Sequence, residues 1–369
     1  MTACVTGATG FLGGHVARLL CERRERVRVT YRDESRLTRL AGLEVEPIKA
    51  ETTDRAALRR AFKGCDVVYH AAGMVNAKPA DEVWRVNALG PRVAVEAAAA
   101  EDVGRVVVTS SVAGIGPVRP GEVGSEEDEY RGGGLGLTYM DAKHEGESEA
   151  LAAGARAGIE VVVVNPSYVL GVPVDPTQPG ETSTRTIGNY LRGRLPAVVD
   201  GGVNIVDVND VASGHLKAAE KGRPGERYVL GGHDTSWLEL LEQVAELAGV
   251  HHPLLVLPPE IGRLAYRAEA LGAPSPISAQ GILAMAQNWH YSSRKARREL
   301  GYRTRSLERT LRDTVDWYRS LIESGALGGS RPSALSVGAA GVRLADRAGL
   351  LRGLRVAERY VGRTLVSGP

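Results

Sequence analysis

The stretch VTGATGFLGGH, residues 5–15, follows the apolar run ACVT and leads straight into a helical pattern over 11–24. Gly7, Gly10 and Gly13 recur every third residue. A glycine in a tight turn accepts dihedrals closed to other residues. One at the start of a helix lets backbone N–H groups approach a pyrophosphate, and one inside the helix lets it pack closely on a sheet. A strand, a glycine turn and a helix in this order therefore predict a layered α/β fold with a phosphate-binding edge.

The pattern downstream extends that reading. VRVTY (27–31), VEPI (45–48), DVVYH (66–70), VVVTS (106–110) and VVVV (161–164) are short β-branched runs. Helical stretches at 54–62, 80–100 and 139–157 lie between them. Continuous apolar strands separated by helices are buried on both faces, which predicts a parallel, doubly wound Rossmann sheet. The nucleotide-binding domain is expected over 1–165, with 203–222 returning to it. Residues 166–202 and 223–324 are expected to form a smaller α/β substrate lobe. GALGGSRPS (325–333) reads as a linker, and 325–369 as linker plus basic helical tail.

Net charge over 369 residues is +2, too small to suggest nucleic acid as a partner. The charge is uneven: seven Arg against Asp346 and Glu358 give residues 331–369 a net +5, leaving −3 for the rest. In the tail, Leu350, Leu351, Leu354, Val361 and Leu365 form an apolar stripe opposite Arg352, Arg355, Arg359 and Arg363. This is the pattern of one basic amphipathic helix over 342–366, suited to an anionic membrane surface or to packing on the body. Cys4, Cys21 and Cys65 are too few and too scattered for a disulfide framework, and no metal site is expected. A strand starting almost at Met1 and the lack of a long apolar run point to a cytoplasmic protein, in peripheral contact with a membrane at most.

Cofactor choice is read after the second strand, at TYRD (30–33). An Arg there accommodates a 2′-phosphate, whereas a carboxylate takes the ribose hydroxyls. Arg32 with Arg36 or Arg39 favours NADP(H), while Asp33 keeps NAD(H) open. A Tyr followed four residues later by a Lys occurs twice, at Tyr139/Lys143 and Tyr291/Lys295. Chain order separates them, because Tyr139 follows the fifth strand and its TSS end. Glu126, Glu127 and Asp128 precede that pair as an acidic loop, expected to face solvent or enter the helix.

TGATGFLGG, HAAG (70–73), VNALG (86–90), TSSVAGIG (109–116), YMDAK (139–143), NPSYVLG (165–171), VDVNDVASGH (206–215) and SSRKARRELGY (292–302) together resemble the extended short-chain dehydrogenases/reductases over about residues 1–320. Residues 193–232 most resemble the group of dihydroflavonol-4-reductase-like proteins and hopanoid-associated sugar epimerases. The resemblance implies a catalytic set of Ser111, Tyr139 and Lys143, with Ser110 the alternative to Ser111. It implies cofactor contacts from Gly7, Thr9, Gly10, Phe11, Leu12, Gly13, Arg32, Arg36, Glu51, Ala71, Ala72, Gly73, Asn87 and Thr109. Tyr139, Lys143, Pro166 and Ser167 complete the set, and a homodimer is implied too. Tyr291/Lys295 falls on a segment the family places in a small-lobe helix, with Ser292 or Ser293 as cap.

In this chemistry a neighbouring ammonium favours the tyrosinate and brings Tyr139 nearer neutral pH. Hydride moves at nicotinamide C4 while Tyr139 transfers the hydroxyl proton. The leading expectation is a reductase or dehydrogenase acting on a carbonyl or secondary alcohol of a small molecule. A sugar or nucleotide-sugar epimerase that retains its cofactor is the alternative, and a non-catalytic NADP sensor ranks last because Tyr and Lys are both present. Val112 and Ala113 follow Ser111 where 4,6-dehydratases carry Asp-Glu, which sets that elimination aside. Arg185, Tyr190 and Arg192 are candidate substrate contacts.

Overall fold

The computed structural model describes residues 1–75, 79–179, 182–271, 278–327 and 333–367. The chain begins β1 (Thr2–Thr6), α1 (Phe11–Glu22), β2 (Arg26–Tyr31), β3 (Val45–Lys49), α2 (Arg55–Phe62) and β4 (Val67–His70). It continues with α3 (Ala80–Trp84), α4 (Gly90–Ala99), β5 (Arg105–Thr109), α5 (Thr138–Ala157), β6 (Glu160–Pro166) and β7 (Tyr168–Leu170). Then follow α6 (Arg185–Leu191), β8 (Ala197–Val199), β9 (Gly202–Asp207), α7 (Val208–Lys221), β10 (Arg227–Leu230), β11 (His233–Ser236) and α8 (Trp237–Ala248). The last elements are β12 (Leu255–Leu257), α9 (Glu260–Ala270), α10 (Ala279–Met285), α11 (Arg294–Leu300), α12 (Leu307–Glu323), α13 (Ala334–Arg347) and α14 (Leu351–Val361).

Seven strands form one parallel sheet in the order β10-β6-β5-β4-β1-β2-β3. Side chains alternate across it. Ala3, Val5, Tyr69, Val107 and Val164 face a core shared with Val16, Leu20 and Leu216 of α1 and α7. Cys4, Val68, Val106, Val108 and Val163 face the opposite core with Leu58, Phe62, Val95 and Ala150 of α2, α4 and α5. The β-branched runs are thus consumed by two helical layers, which is why they read as continuously apolar. Strand order reverses between β1 and β4, opening a crevice at their C-terminal ends.

The lobe has its own core, in which Ile187, Ile205, Trp237, Leu241, Leu311 and Trp317 are buried. Two small sheets, β11-β9-β7 and β12-β8, support it.

The expected division of the chain needs three corrections. Strand β10, assigned by sequence to the lobe, is the edge of the main sheet, paired with β6 through Arg227↔Val163 to Leu230↔Pro166. Within 203–222, α7 packs on the main sheet, but β9 pairs with β7 and β11 instead. Helix α11 is not a lobe helix: Ala296, Leu300 and Tyr302 are buried in the main-sheet core. Four-residue strands carry too little pattern to say which sheet they join, since pairing is decided by long-range register.

The tail also differs from one amphipathic helix, being two helices, α13 and α14, followed by a short bridge from Val366 to Leu255. Leu351 is buried and Leu365 lies past the helix, so the predicted stripe is divided. The linker reading at 325–333 falls mostly outside the described residues.

Candidate active site

The glycine loop occupies the crevice. Gly7 has φ +68, and a Cβ there would lie 2.6 Å from the Ala72 Cα, so the loop touches the exit of β4 backbone to backbone. A Cβ on Gly13 would overlap the Gly7 carbonyl oxygen. Gly10 caps α1 with extended dihedrals and no side chain bonds the first-turn N–H groups. Those amides and the positive end of the helix suit an anion. Phe11 stands edge-on to His15, Leu12 packs into the core, and the Thr9 carbonyl accepts from Arg39 at 3.4 Å. A cavity beside the loop is lined by Thr9, Gly10, Phe11, Arg39, Val174 and Asp175.

On the other side of Gly7, Ala71 and Ala72 are tied to β1 through the Thr6 carbonyl and hydroxyl. Gly73 has no room for a side chain to spare, because a Cβ would sit 3.2 Å from Lys143 Nζ and 3.3 Å from Asn87 Oδ1. Asn87 clamps Met74, accepting from its N–H at 3.0 Å and donating to its carbonyl at 2.7 Å. Its side-chain amide is thus used by backbone.

At the outer end of the crevice the polar groups form a chain. Arg32 pairs with Glu82 at 3.7 Å, Glu82 with Arg85 at 2.7 Å, and Arg85 with Glu51 at 3.3 Å. Arg36 pairs with Asp33 at 3.8 Å. Asp33 accepts from the Ser35 N–H and hydroxyl, which hold its carboxyl below the usual range and make it a cap for the 3-10 turn Glu34–Leu40. Beyond their own i,i+3 pair, Glu82 and Arg85 carry no sequence signal for this role, since their other partners come from two distant segments.

Beyond β5, Ser111 turns the chain into a 3-10 turn, accepting from the Ala113 N–H at 3.1 Å. Its hydroxyl donates to the Pro166 carbonyl at 3.5 Å, and it stands close enough to Tyr139 to favour the tyrosinate. Tyr139 and Lys143 occupy the first two turns of α5, and Lys143 Nζ donates to the Thr109 carbonyl at 3.1 Å. Burial lowers Lys143 to about 8, with Glu147 opposing, and raises Tyr139 to about 12, with Ser111 opposing. In the protein alone burial dominates Tyr139, and the Lys143 ammonium is turned to the Thr109 carbonyl. Among the described residues, the buried Ser110 and Ser167 hydroxyls have no hydrogen-bond partner.

A supporting network escaped the sequence reading. Asn165 donates to the Ser111 carbonyl at 3.0 Å and to Glu147 at 2.8 Å, and Arg227 pairs with Glu147 at 2.9 Å. Glu147 follows Lys143 by one helical turn, a spacing visible in KHEGE, but Arg227 arrives from β10. Glu126 is buried at 6 % exposure and accepts from the Val229 N–H, correcting the solvent-facing expectation; Glu127 is exposed as expected. Tyr139 packs against an apolar cluster containing Ala113, Met140 and Leu283, as do Tyr130, Tyr266 and Trp289.

Tyr291/Lys295 is no pair. Tyr291 precedes α11 and its buried hydroxyl donates to the Gly116 carbonyl, while Lys295 pairs with Glu226 at 2.6 Å. Ser293 stands at the cap position but bonds Gly231, and Ser292 accepts from the Arg294 N–H instead. Arg185, Tyr190 and Arg192 lie on and beside α6, where Tyr190 is buried in the lobe core. Among the described residues no group of His, Cys, Asp and Glu could hold a metal ion, and no helix is long and apolar enough to cross a membrane.

A doubly wound sheet with a glycine loop at its reversal point, and Ser, Tyr and Lys gathered beyond the neighbouring strand, defines an oxidoreductase of the Rossmann class. Residues 3–231 match the NAD dependent epimerase/dehydratase family, and the chain belongs to it as an extended short-chain dehydrogenase/reductase. A Synechocystis sp. protein provisionally named dihydroflavonol 4-reductase is 33% identical over 328 residues, 86% of this chain and 94% of its own. Sterol demethylase protein B of Methylococcus capsulatus is 32% identical over 335 residues, 86% of this chain and 98% of its own. A solved nucleoside-diphosphate-sugar epimerase from Pseudomonas aeruginosa superposes with a TM-score of 0.72 at 30% identity, covering 88% of this chain and 99% of that one.

Proposed function

We propose that the protein is an NADP(H)-preferring reductase of a carbonyl on an apolar or aromatic small molecule, with Tyr139 as the general acid. The observation that carries this reading is the placing of Tyr139 near Ser111, on an apolar cluster against which Tyr130, Tyr266 and Trp289 also pack. Gly7, Gly10 and the open N-terminus of α1 fit a pyrophosphate, and Ala71–Gly73 border the same groove. The bound cofactor supplies the hydride.

The chain's own residues do the rest. Tyr139, held near 12, carries its proton at neutral pH and can deliver it to a carbonyl oxygen. Ser111 orients that oxygen, and Asn165, by holding the Ser111 carbonyl, keeps the serine in register. Lys143 places a buried positive charge beside Gly73 and the Thr109 carbonyl. The aromatic surroundings exclude water and favour an apolar substrate. The relative named as a reductase supports this reading.

A second reading, a sugar-nucleotide epimerase with retained NAD(H), is favoured by the likeness to the Pseudomonas epimerase along nearly its whole length. One series of measurements separates the two. The purified protein is assayed for nicotinamide released on denaturation, then for oxidation of NADPH and NADH with aromatic and aliphatic ketones. A reductase is expected cofactor-free and oxidises NADPH. Tyr139→Phe is expected to lower kcat by roughly 10²–10⁴ while cofactor affinity holds. Tightly co-purified NAD(H), with sugar-nucleotide interconversion and no net oxidation, overturns the reductase reading.

A further inference from the structure

We infer that Glu147 is a positioning residue for the catalytic set, a buried carboxylate that balances the Lys143 ammonium. The inference rests on the reductase reading, in which Lys143 serves the cofactor. Glu147 is 4 % and Lys143 6 % exposed, and standing four residues apart on α5 they share one side of the helix. A buried ammonium is costly unless an opposite charge offsets the loss of water.

The carboxylate is fixed through both of its oxygens. Oε2 accepts from the Asn165 amide at 2.8 Å and Oε1 from Arg227 at 2.9 Å. The same Asn165 nitrogen donates to the Ser111 carbonyl at 3.0 Å, so one carboxylate stands behind both Lys143 and Ser111. Arg227 is held in turn by the Glu126 and Asp128 carbonyls. Glu147 therefore has a set place relative to Lys143, which a mobile surface carboxylate would lack.

The other groups around Lys143 leave this task to Glu147. The Thr109 carbonyl from β5 and Asn87 from the π-helical turn Arg85–Leu89 come close without charge. From β4, His70 is kept neutral, lowered to about 3 by burial and by Lys143 itself. On α5, Tyr139 is held near 12, while Asp141 and His144 are turned to Tyr130, which donates to the first and stacks on the second. Glu82 of α3 pairs with Arg85, and Arg92 of α4 with Glu149. The 3-10 turn Val112–Gly114 brings no ionisable side chain. Burial pulls Lys143 down to about 8, and Glu147 opposes that pull.

The test titrates the full chain, made with 13C-labelled lysine, by NMR from about pH 6 to about pH 10. The Cε signal of Lys143 is assigned by its loss in K143R. The wild-type midpoint is expected at about 8. E147Q is expected to lower it by about one pH unit, and E147D, which keeps the charge, to restore it. A merely loosened fold would admit water and move the midpoint the other way, toward about 10.4. If E147Q does not fold, R227Q/E147Q removes both charges of the buried pair together and is expected to show the same fall. With a ketone that the wild type reduces, kcat/KM of E147Q is expected to fade at alkaline pH about one pH unit earlier. A midpoint that is unchanged or raised without the carboxylate overturns the inference. Absence of NADPH oxidation by the wild type counts against the reductase reading instead, and the NMR midpoint still decides the role of Glu147.

Discussion

Lys143 donates to the Thr109 carbonyl, and Tyr139 keeps company with Ser111, so two residues one turn apart serve different partners in the protein alone. The proposed preference for NADP(H) belongs to the same scale. Asp33, the residue that left NAD(H) open, has its carboxylate engaged by Ser35 as a cap, while Arg32 is 64 % exposed beside Glu82. A carboxylate so occupied is a poor partner for ribose hydroxyls, whereas Arg32 can exchange a weak surface pair for a phosphate. R32A and R36A are each expected to raise the Kd for NADPH about tenfold and leave that for NADH within about twofold. Titration of both cofactors by fluorescence checks this, and equal losses for the two would reassign these arginines to a general role.

Helix α5 crosses the segment before α4 at Gly146, where a Cβ would overlap the Asn87 carbonyl oxygen. That segment, Arg85–Leu89, is a π-helical turn between α3 and α4 and carries Asn87. A π-turn inserted in a helix re-aims side chains and is common at functional sites. The contact thus sets the distance between Asn87, on Met74, and Lys143, on Thr109. Gly146→Ala is expected to destabilise the fold by about 2–4 kcal/mol, as overpacking against backbone does, while Ser148→Ala on the same helix costs under about 0.5 kcal/mol. Urea unfolding of both variants measures the difference, and a neutral G146A would show that the crossing yields. The apolar period predicted one helix over 80–100 and another over 139–157. It did not contain the π-turn or the crossing point, because a glycine inside a helix looks the same whether it faces solvent or another backbone.

Three buried imidazoles join parts of the molecule far apart in sequence. His15 bridges Asn209 and the Val172 carbonyl, His70 meets Thr6, and His215 meets Thr109 and the Val211 carbonyl. Burial lowers them to about 4, 3 and 4. Since the unfolded chain titrates near 6.5, it binds protons first as pH falls, and stability declines from about 6.5 down to about 4. Each neutral imidazole forfeits roughly 2 kcal/mol by pH 5. Unfolding free energies at pH 7 and pH 5 are expected to converge for His215→Gln relative to wild type; an identical drop would place the acid sensitivity elsewhere.

Much of the architecture was legible in the chain: the glycine loop, the alternation of β-branched runs with helices, and the order TSS then YMDAK each rest on local periodicity or local turn chemistry. Local pattern carries such information because burial on two faces and tight turns constrain neighbouring residues directly. Tertiary structure alone decided that β10 borders the main sheet, that Glu126 is buried against it, and that Arg227 reaches Glu147. It also decided that Tyr139 packs on the same apolar cluster as Tyr130, Tyr266 and Trp289. Those facts depend on pairing between distant segments, where register, burial and charge compensation are settled only when the chain closes on itself.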